Sequence, residues 1–109
     1  MDKIPESVRK IINNYIRQIS KDIKIEKVII FGSYAKHTTH QNSDVDLAVF
    51  SENFKEKSRI ENLKYLILNA MDYDIDLEPQ PFTDEDFKNP EGFVEEIIRT
   101  GIEISEIRH

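Results

Sequence analysis

Two short apolar runs, one ending and the other beginning on polar residues of distinctive chemistry, constrain this chain more than any other feature. Lys27-Val28-Ile29-Ile30-Phe31 runs directly into Gly32-Ser33, and after a further ten residues Asp44-Val45-Asp46 opens into Leu47-Ala48-Val49-Phe50. Apolar runs of this length, bounded by turn residues, read as buried strands. If the two strands pair antiparallel, the end of the first lies beside the start of the second. The intervening residues close that geometry comfortably, so Gly32-Ser33 and the acidic pair share one edge of a sheet. Alternation along a strand turns Asp44 and Asp46 to one face and Val45, Leu47 and Val49 to the other. The result is an acidic patch backed by core.

The remaining pattern supplies layers for such a sheet. Ile4, Val8, Ile11, Ile12, Tyr15, Ile16 and Ile19 recur at helical spacing, with Pro5 suited to a first turn. Strands are predicted at about Glu26 to Phe31 and Val45 to Phe50, with a short helix near Ser33 in the polar connection. A helix is predicted from Arg59 to Asn69 with Ile60, Leu63, Leu66, Ile67 and Ala70 inward, then a third strand from Tyr73 to Glu78 closed by Pro79 and Pro81. Thr83 and Asp86 have capping-box spacing. Pro90 begins a last helix through Phe93, Val94, Ile97 and Ile98, which Gly101 ends, and Ile102 to Ile104 suits a short edge strand. The order is helix, strand, strand, helix, strand, helix. That is the signature of an α/β (α+β) sandwich with a small sheet, and residues 1–109 are expected to form one domain.

Composition excludes several classes of function. A net charge of −6 argues against groove-following nucleic-acid binding, which relies on clustered Lys and Arg to displace counterions. No apolar run approaches the roughly 18–20 residues of a membrane span, and the N-terminus lacks the apolar core of a signal peptide. The chain has no cysteine, which removes disulfides and thiolate metal sites and fits a reducing cytoplasm.

The acids suit a hard divalent cation. Two carboxylates about 7 Å apart along a strand can share one or two ions, and Mg²⁺ often joins carboxylates to substrate phosphates. A third acid completes the arrangement. Asp74, Asp76 and Glu78 share a face of the predicted third strand, and Asp76, flanked by Ile75 and Leu77, is the selected one, with Asp74 its competitor. Gly32 permits a sharp turn with close backbone approach to phosphate, and the Ser33 hydroxyl can donate to a phosphate oxygen. The expected reaction is in-line attack on the α-phosphate of a nucleoside triphosphate, releasing pyrophosphate, with metal lowering the pKa of the attacking hydroxyl.

Phe31-Gly32-Ser33-Tyr34-Ala35-Lys36, Ser43-Asp44-Val45-Asp46-Leu47-Ala48-Val49 and Ile75-Asp76-Leu77 together resemble the nucleotidyltransferase superfamily with a polymerase-beta-like palm. The similarity covers roughly residues 25 to 79, with a weaker extension through Asn89-Pro90 and Glu96 to Ile102. Within that superfamily it resembles the minimal, single-domain branch, and stand-alone members of this size resemble the antitoxin half of MNT/HEPN toxin–antitoxin pairs. The resemblance implies a small mixed sheet flanked by helices. It also implies transfer of AMP from ATP to a tyrosine of a HEPN ribonuclease toxin. Carried over by position, Gly32 and Ser33 bind the triphosphate, Asp44 and Asp46 ligate Mg²⁺ (two ions), and Asp76 completes the triad. His37 stands where many relatives have a second glycine.

Two other functions fit fewer of these features. One is a binding module that neutralises its partner by contact alone, with a weak or vestigial nucleotide pocket; a homo- or hetero-oligomer is compatible with any of these functions. The other is a transferase acting on a small molecule, which usually needs a second domain to hold the acceptor. Lys36, His37 and His40 lie in a polar loop and read as solvated residues.

Overall fold

Helix α1 (Glu6–Ile19) forms where the apolar spacing requires it, and Val8, Ile12, Tyr15, Ile16 and Ile19 are the residues it buries. It begins the fold in a computed structural model that describes residues 4–32 and 44–104. Strands β1 (Lys27–Phe31) and β2 (Val45–Phe50) pair antiparallel, with Phe31 opposite Asp46 and Lys27 opposite Phe50. This is the pairing the two apolar runs predict. A 3₁₀ turn (Glu52–Lys55) leads to α2 (Arg59–Ala70), which is started by a reciprocal capping box between Ser58 and Glu61.

β3 (Leu77–Phe82) then lies parallel to β2. The predicted capping box of Thr83 and Asp86 opens α3 (Asp84–Lys88). α4 (Gly92–Thr100) ends at Gly101, and β4 (Ile102–Glu103) returns antiparallel to β1. The sheet order is β3-β2-β1-β4, so the sheet is mixed, as a polymerase-beta-like palm requires.

Residue parity sorts the core into two layers. Val28, Ile30, Val45, Leu47, Val49 and Leu77 pack against α1 and α2. Ile29, Ala48, Phe50 and Phe82 face the other way, against Ile97 of α4 and Phe87 of α3. Asp46 and Glu78 share the parity of this second face, Asp46 half-buried and Glu78 exposed. Among the described residues no helix is long and apolar enough to cross a membrane.

The third strand departs from its predicted position. It spans Leu77–Phe82 rather than Tyr73 to Glu78, and contains the two prolines expected to close it. The reason is its place at the sheet edge. Asp76 and Phe82 accept from Val45 and Ser51 of the β2 segment at 2.8 and 2.9 Å, so even-numbered residues of β3 face the ladder. Pro79 and Pro81 therefore turn their nitrogens to the open edge, where no hydrogen bond is lost. Arg59 covers part of that edge, donating to the Pro81 carbonyl at 2.8 Å and to Gln80 at 2.8 Å.

Helix α2 also sits rotated from its predicted face. Ile60 and Ile67, expected inward, are 79% and 44% exposed, whereas Asn62, Leu66 and Ala70 are buried. A polar residue takes an inward position because Asn62 donates to the Phe54 carbonyl at 2.8 Å, closing the preceding 3₁₀ turn. The Tyr15 hydroxyl, donating to the Leu66 carbonyl at 2.8 Å, holds the same rotation.

Gly101 joins α4 to β4 with no room to spare. A Cβ there would meet the Ile97 and Ile30 carbonyl oxygens at 2.6 and 2.8 Å, besides the Ile29 side chain. Two of these neighbours are backbone and cannot step aside. Gly101→Ala is expected to destabilise the fold by about 1–3 kcal/mol, as overpacked sites do. A urea titration showing an unchanged midpoint would contradict this packing.

Candidate functional site

Three adjacent strands converge on the acidic patch. β1 ends at Gly32, whose φ of +78° is open to glycine and costly for other residues. Phe31, just before it, pairs with Asp46 of β2, and Asp46 in turn pairs with Glu78 of β3. Gly32 approaches Asp46 so closely that a Cβ would stand 3.2 Å from the Asp46 carboxyl carbon and nearer still to Oδ2. Thus the turn read as phosphate-binding and the carboxylate read as metal-binding are in contact. Ser33, His37 and the helix predicted near Ser33 lie outside the described residues.

Asp44 is exposed and Asp46 half-buried. Asp76 is placed differently from its prediction. The Leu77 amide donates to the Ile75 carbonyl at 3.1 Å, closing a tight turn centred on Asp76 just before β3 begins. Its carbonyl anchors Val45, and its exposed side chain lines a cavity beside the patch. Glu78, one of the three acids on the predicted face, is the one the structure brings into hydrogen bonding with both Asp44 and Asp46. The signal for it was strand parity: Asp46 and Glu78 are even positions of neighbouring strands in register.

Crowding sets the electrostatics. Glu78 is pushed up to about 7, first by donating a hydrogen bond to Asp44, then by burial and by the charges of Asp44 and Asp46. Burial is the main cause that raises Asp46. The charge of Asp44 adds to the rise, and the hydrogen bond from Glu78 opposes it. Glu78 therefore holds a proton against its neighbours, and the described residues form no preset cage of three or more ligands. The donor set nevertheless fits a hard cation, because all its atoms are carboxylate oxygens and a cation in place of the proton relieves their repulsion.

This crowding predicts how metal-free stability depends on pH. A Glu78 carboxyl raised from 4.5 to about 7 holds a proton in the fold that the unfolded chain has already released. Stability should therefore fall as pH rises through that window and be lowest above it. With chelator present, thermal melts from pH 5 to pH 8 should show the decline. Glu78→Gln should flatten it. An unaltered slope in that variant would place the proton elsewhere.

The cavity flanking the acids has a volume of about 320 Å³ and lies between β3 and the end of α2. Ile67, Ala70, Met71 and Tyr73 give it an apolar wall, and Asp76 and Glu78 its acidic one. Gly32 lies on the β1 side of Asp46 and this cavity on the β3 side. A phosphate group and an acceptor can therefore approach the acids from opposite directions.

Comparison with known proteins identifies the family and the fold. Residues 12–109 match the family described as "Polymerase beta, Nucleotidyltransferase". The chain is 33% identical over 66 residues to the protein adenylyltransferase MntA of Shewanella oneidensis, covering 60% of this chain and 48% of that protein. It thus spans about half the length of that relative. It is 31% identical over 98 residues to a Methanocaldococcus jannaschii protein named "putative protein adenylyltransferase", covering 82% of this chain and 94% of the relative. The crystal structure of a "putative nucleotidyltransferase" from Sulfolobus solfataricus superposes with a TM-score of 0.61 at 17% identity, over 75% of this chain and 72% of that one, a likeness of fold. By sequence match and by architecture, the chain belongs to the polymerase beta nucleotidyltransferase family, whose chemistry is nucleotidyl transfer.

Proposed function

We propose that this nucleotidyltransferase is a Mg²⁺-dependent protein adenylyltransferase. Its reaction moves AMP from ATP to a tyrosine of a HEPN ribonuclease toxin in the cytoplasm, so that it serves as that toxin's antitoxin. The observation that carries this reading is the contact between Gly32 and Asp46 at the end of three paired strands. The names of the two sequence relatives support a protein acceptor. The resemblance of the motifs to minimal nucleotidyltransferases supports the toxin partner.

Asp44 and Asp46 are the residues to hold Mg²⁺, two ions in the full complex, with Asp76 as the third acid and Glu78 an added carboxylate between them. When bound, the cation neutralises phosphate charge and eases ionisation of the attacking hydroxyl. Gly32 leaves the backbone bare where the triphosphate lies, and Ser33 donates to a phosphate oxygen. The acceptor hydroxyl enters from the β3 side and gives its proton to Asp76. Its oxygen then bonds to the α-phosphorus as the bond to pyrophosphate breaks.

Incubation with ATP labelled at the α-phosphate, Mg²⁺ and a HEPN partner tests this directly. The expected result is label on the partner that disappears with Asp44→Asn and with Asp46→Asn. Silencing of the toxin that survives both substitutions would instead make the chain a stoichiometric binder. Labelling that survives both would remove these carboxylates from the metal site.

A further inference from the structure

α4 lies along β1, and residues four apart on a helix share a face. Ile97 is 1% exposed and packs with Ile29, Ala48 and Phe50. Gly101, one turn later, is pressed against Ile29 and the Ile30 carbonyl. Phe93, one turn earlier on the same line, projects beyond this packed layer. Its ring meets Phe31 edge-to-face, with centroids 5.6 Å apart and planes at 84°. Phe93 nonetheless remains 58% exposed.

The setting of this pair is specific. Phe31 precedes Gly32, lies opposite Asp46 and has the same parity as Ile29, so its ring belongs to the acidic face of the sheet. A half-bare aromatic ring therefore stands next to the turn that contacts Asp46, on the β1 side, away from the acceptor cavity of β3. Beyond its edge on Phe31 the residue is largely in solvent, whereas Ile97 one turn later is enclosed.

We propose that Phe93, steadied by Phe31, is the stacking platform for the base of the nucleoside triphosphate. The proposal rests on the nucleotide reading above and adds the residue that holds the base. A stacked ring reads the π-face of a base rather than its hydrogen-bonding edge, so the site prefers purines for their larger face and separates adenine from guanine weakly. The polar end of the same ligand is held independently, by Gly32 and the acids. Base and phosphate recognition are therefore separable.

Calorimetry in Mg²⁺ exploits that separation, comparing ATP, CTP and inorganic tripolyphosphate on the full chain. Phe93→Ala should raise the ATP Kd about tenfold or more, bring ATP and CTP close together, and leave tripolyphosphate unchanged. Phe93→Trp should restore ATP binding. An ATP affinity untouched by Phe93→Ala overturns the platform, as does an equal loss for ATP and tripolyphosphate, which would mean that the ring merely shapes the cleft. If neither ATP nor tripolyphosphate binds the unmodified chain, the nucleotide reading itself fails and takes the platform with it.

Discussion

Gly32→Ala is expected to abolish nucleotidyl transfer, by about a thousandfold or more, while costing the fold only about 1–3 kcal/mol. Two effects add at this position. An alanine forced to φ near +78° carries backbone strain of about 1–2 kcal/mol. Its methyl group would also take the space of the Asp46 carboxylate, whose carbon would stand 3.2 Å away. The carboxylate must swing aside, and a displacement of about 1 Å at a reacting centre costs some hundredfold by itself. Gly92→Ala isolates the first effect. Gly92 also has positive φ, at 55°, yet a Cβ there meets nothing within 4 Å. That variant should lose about 1 kcal/mol in urea denaturation and keep its transfer rate. Equal activity in both variants would show that the contact between Gly32 and Asp46 has no part in the chemistry.

Asp46→Asn should separate stability from activity more sharply. If Asp46 holds the cation as proposed, transfer should fall about a thousandfold, because a neutral amide then replaces an anionic ligand. In chelator the same variant should melt at a higher temperature than the parent. Asp46 is half-buried and raised by burial, and its charge also burdens Glu78. An isosteric amide removes that repulsion without leaving a void. Adding Asp44→Asn should cost little further activity, since ligands of one ion act as a unit. A variant that both lost transfer and melted lower in chelator would mean that the hydrogen bond Asp46 accepts from Glu78 outweighs the repulsion.

The sequence made the heart of this arrangement legible because its two strands are marked twice, by continuous apolar residues and by polar ends. Val45 to Phe50 is found where it was expected, as are the antiparallel pairing with β1, the Thr83–Asp86 cap and the Gly101 stop. The third strand was misplaced for a topological reason. A proline ends a strand only if its nitrogen faces the ladder, and nothing local announces that β3 is an edge strand with Pro79 and Pro81 turned outward. That shift moved Asp76 into a turn and brought Glu78 beside the acidic pair. The facing of α2 was hidden similarly. Its stripe of Ile60, Leu63 and Ile67 is a good helical period, but the hydrogen bond from Asn62 to Phe54 selects a different rotation. Phe93 has core spacing with Ile97, and only the end of the layer beneath it leaves the ring bare.

The last strand bears on how the molecule is made. Between Ile97 and Ile104 the chain crosses the margin of the sheet, leaving one hydrophobic layer and entering the other, where Ile104 is wholly enclosed. The Ile104 amide donates to the Val28 carbonyl at 2.9 Å, joining residues 76 positions apart. During synthesis Phe31, Asp46 and Glu78 emerge well before this clasp can close. A nascent chain still waiting for residue 104 therefore exposes the outer flank of β1 and an unsealed pocket beneath α1, the state most open to chaperones and proteases.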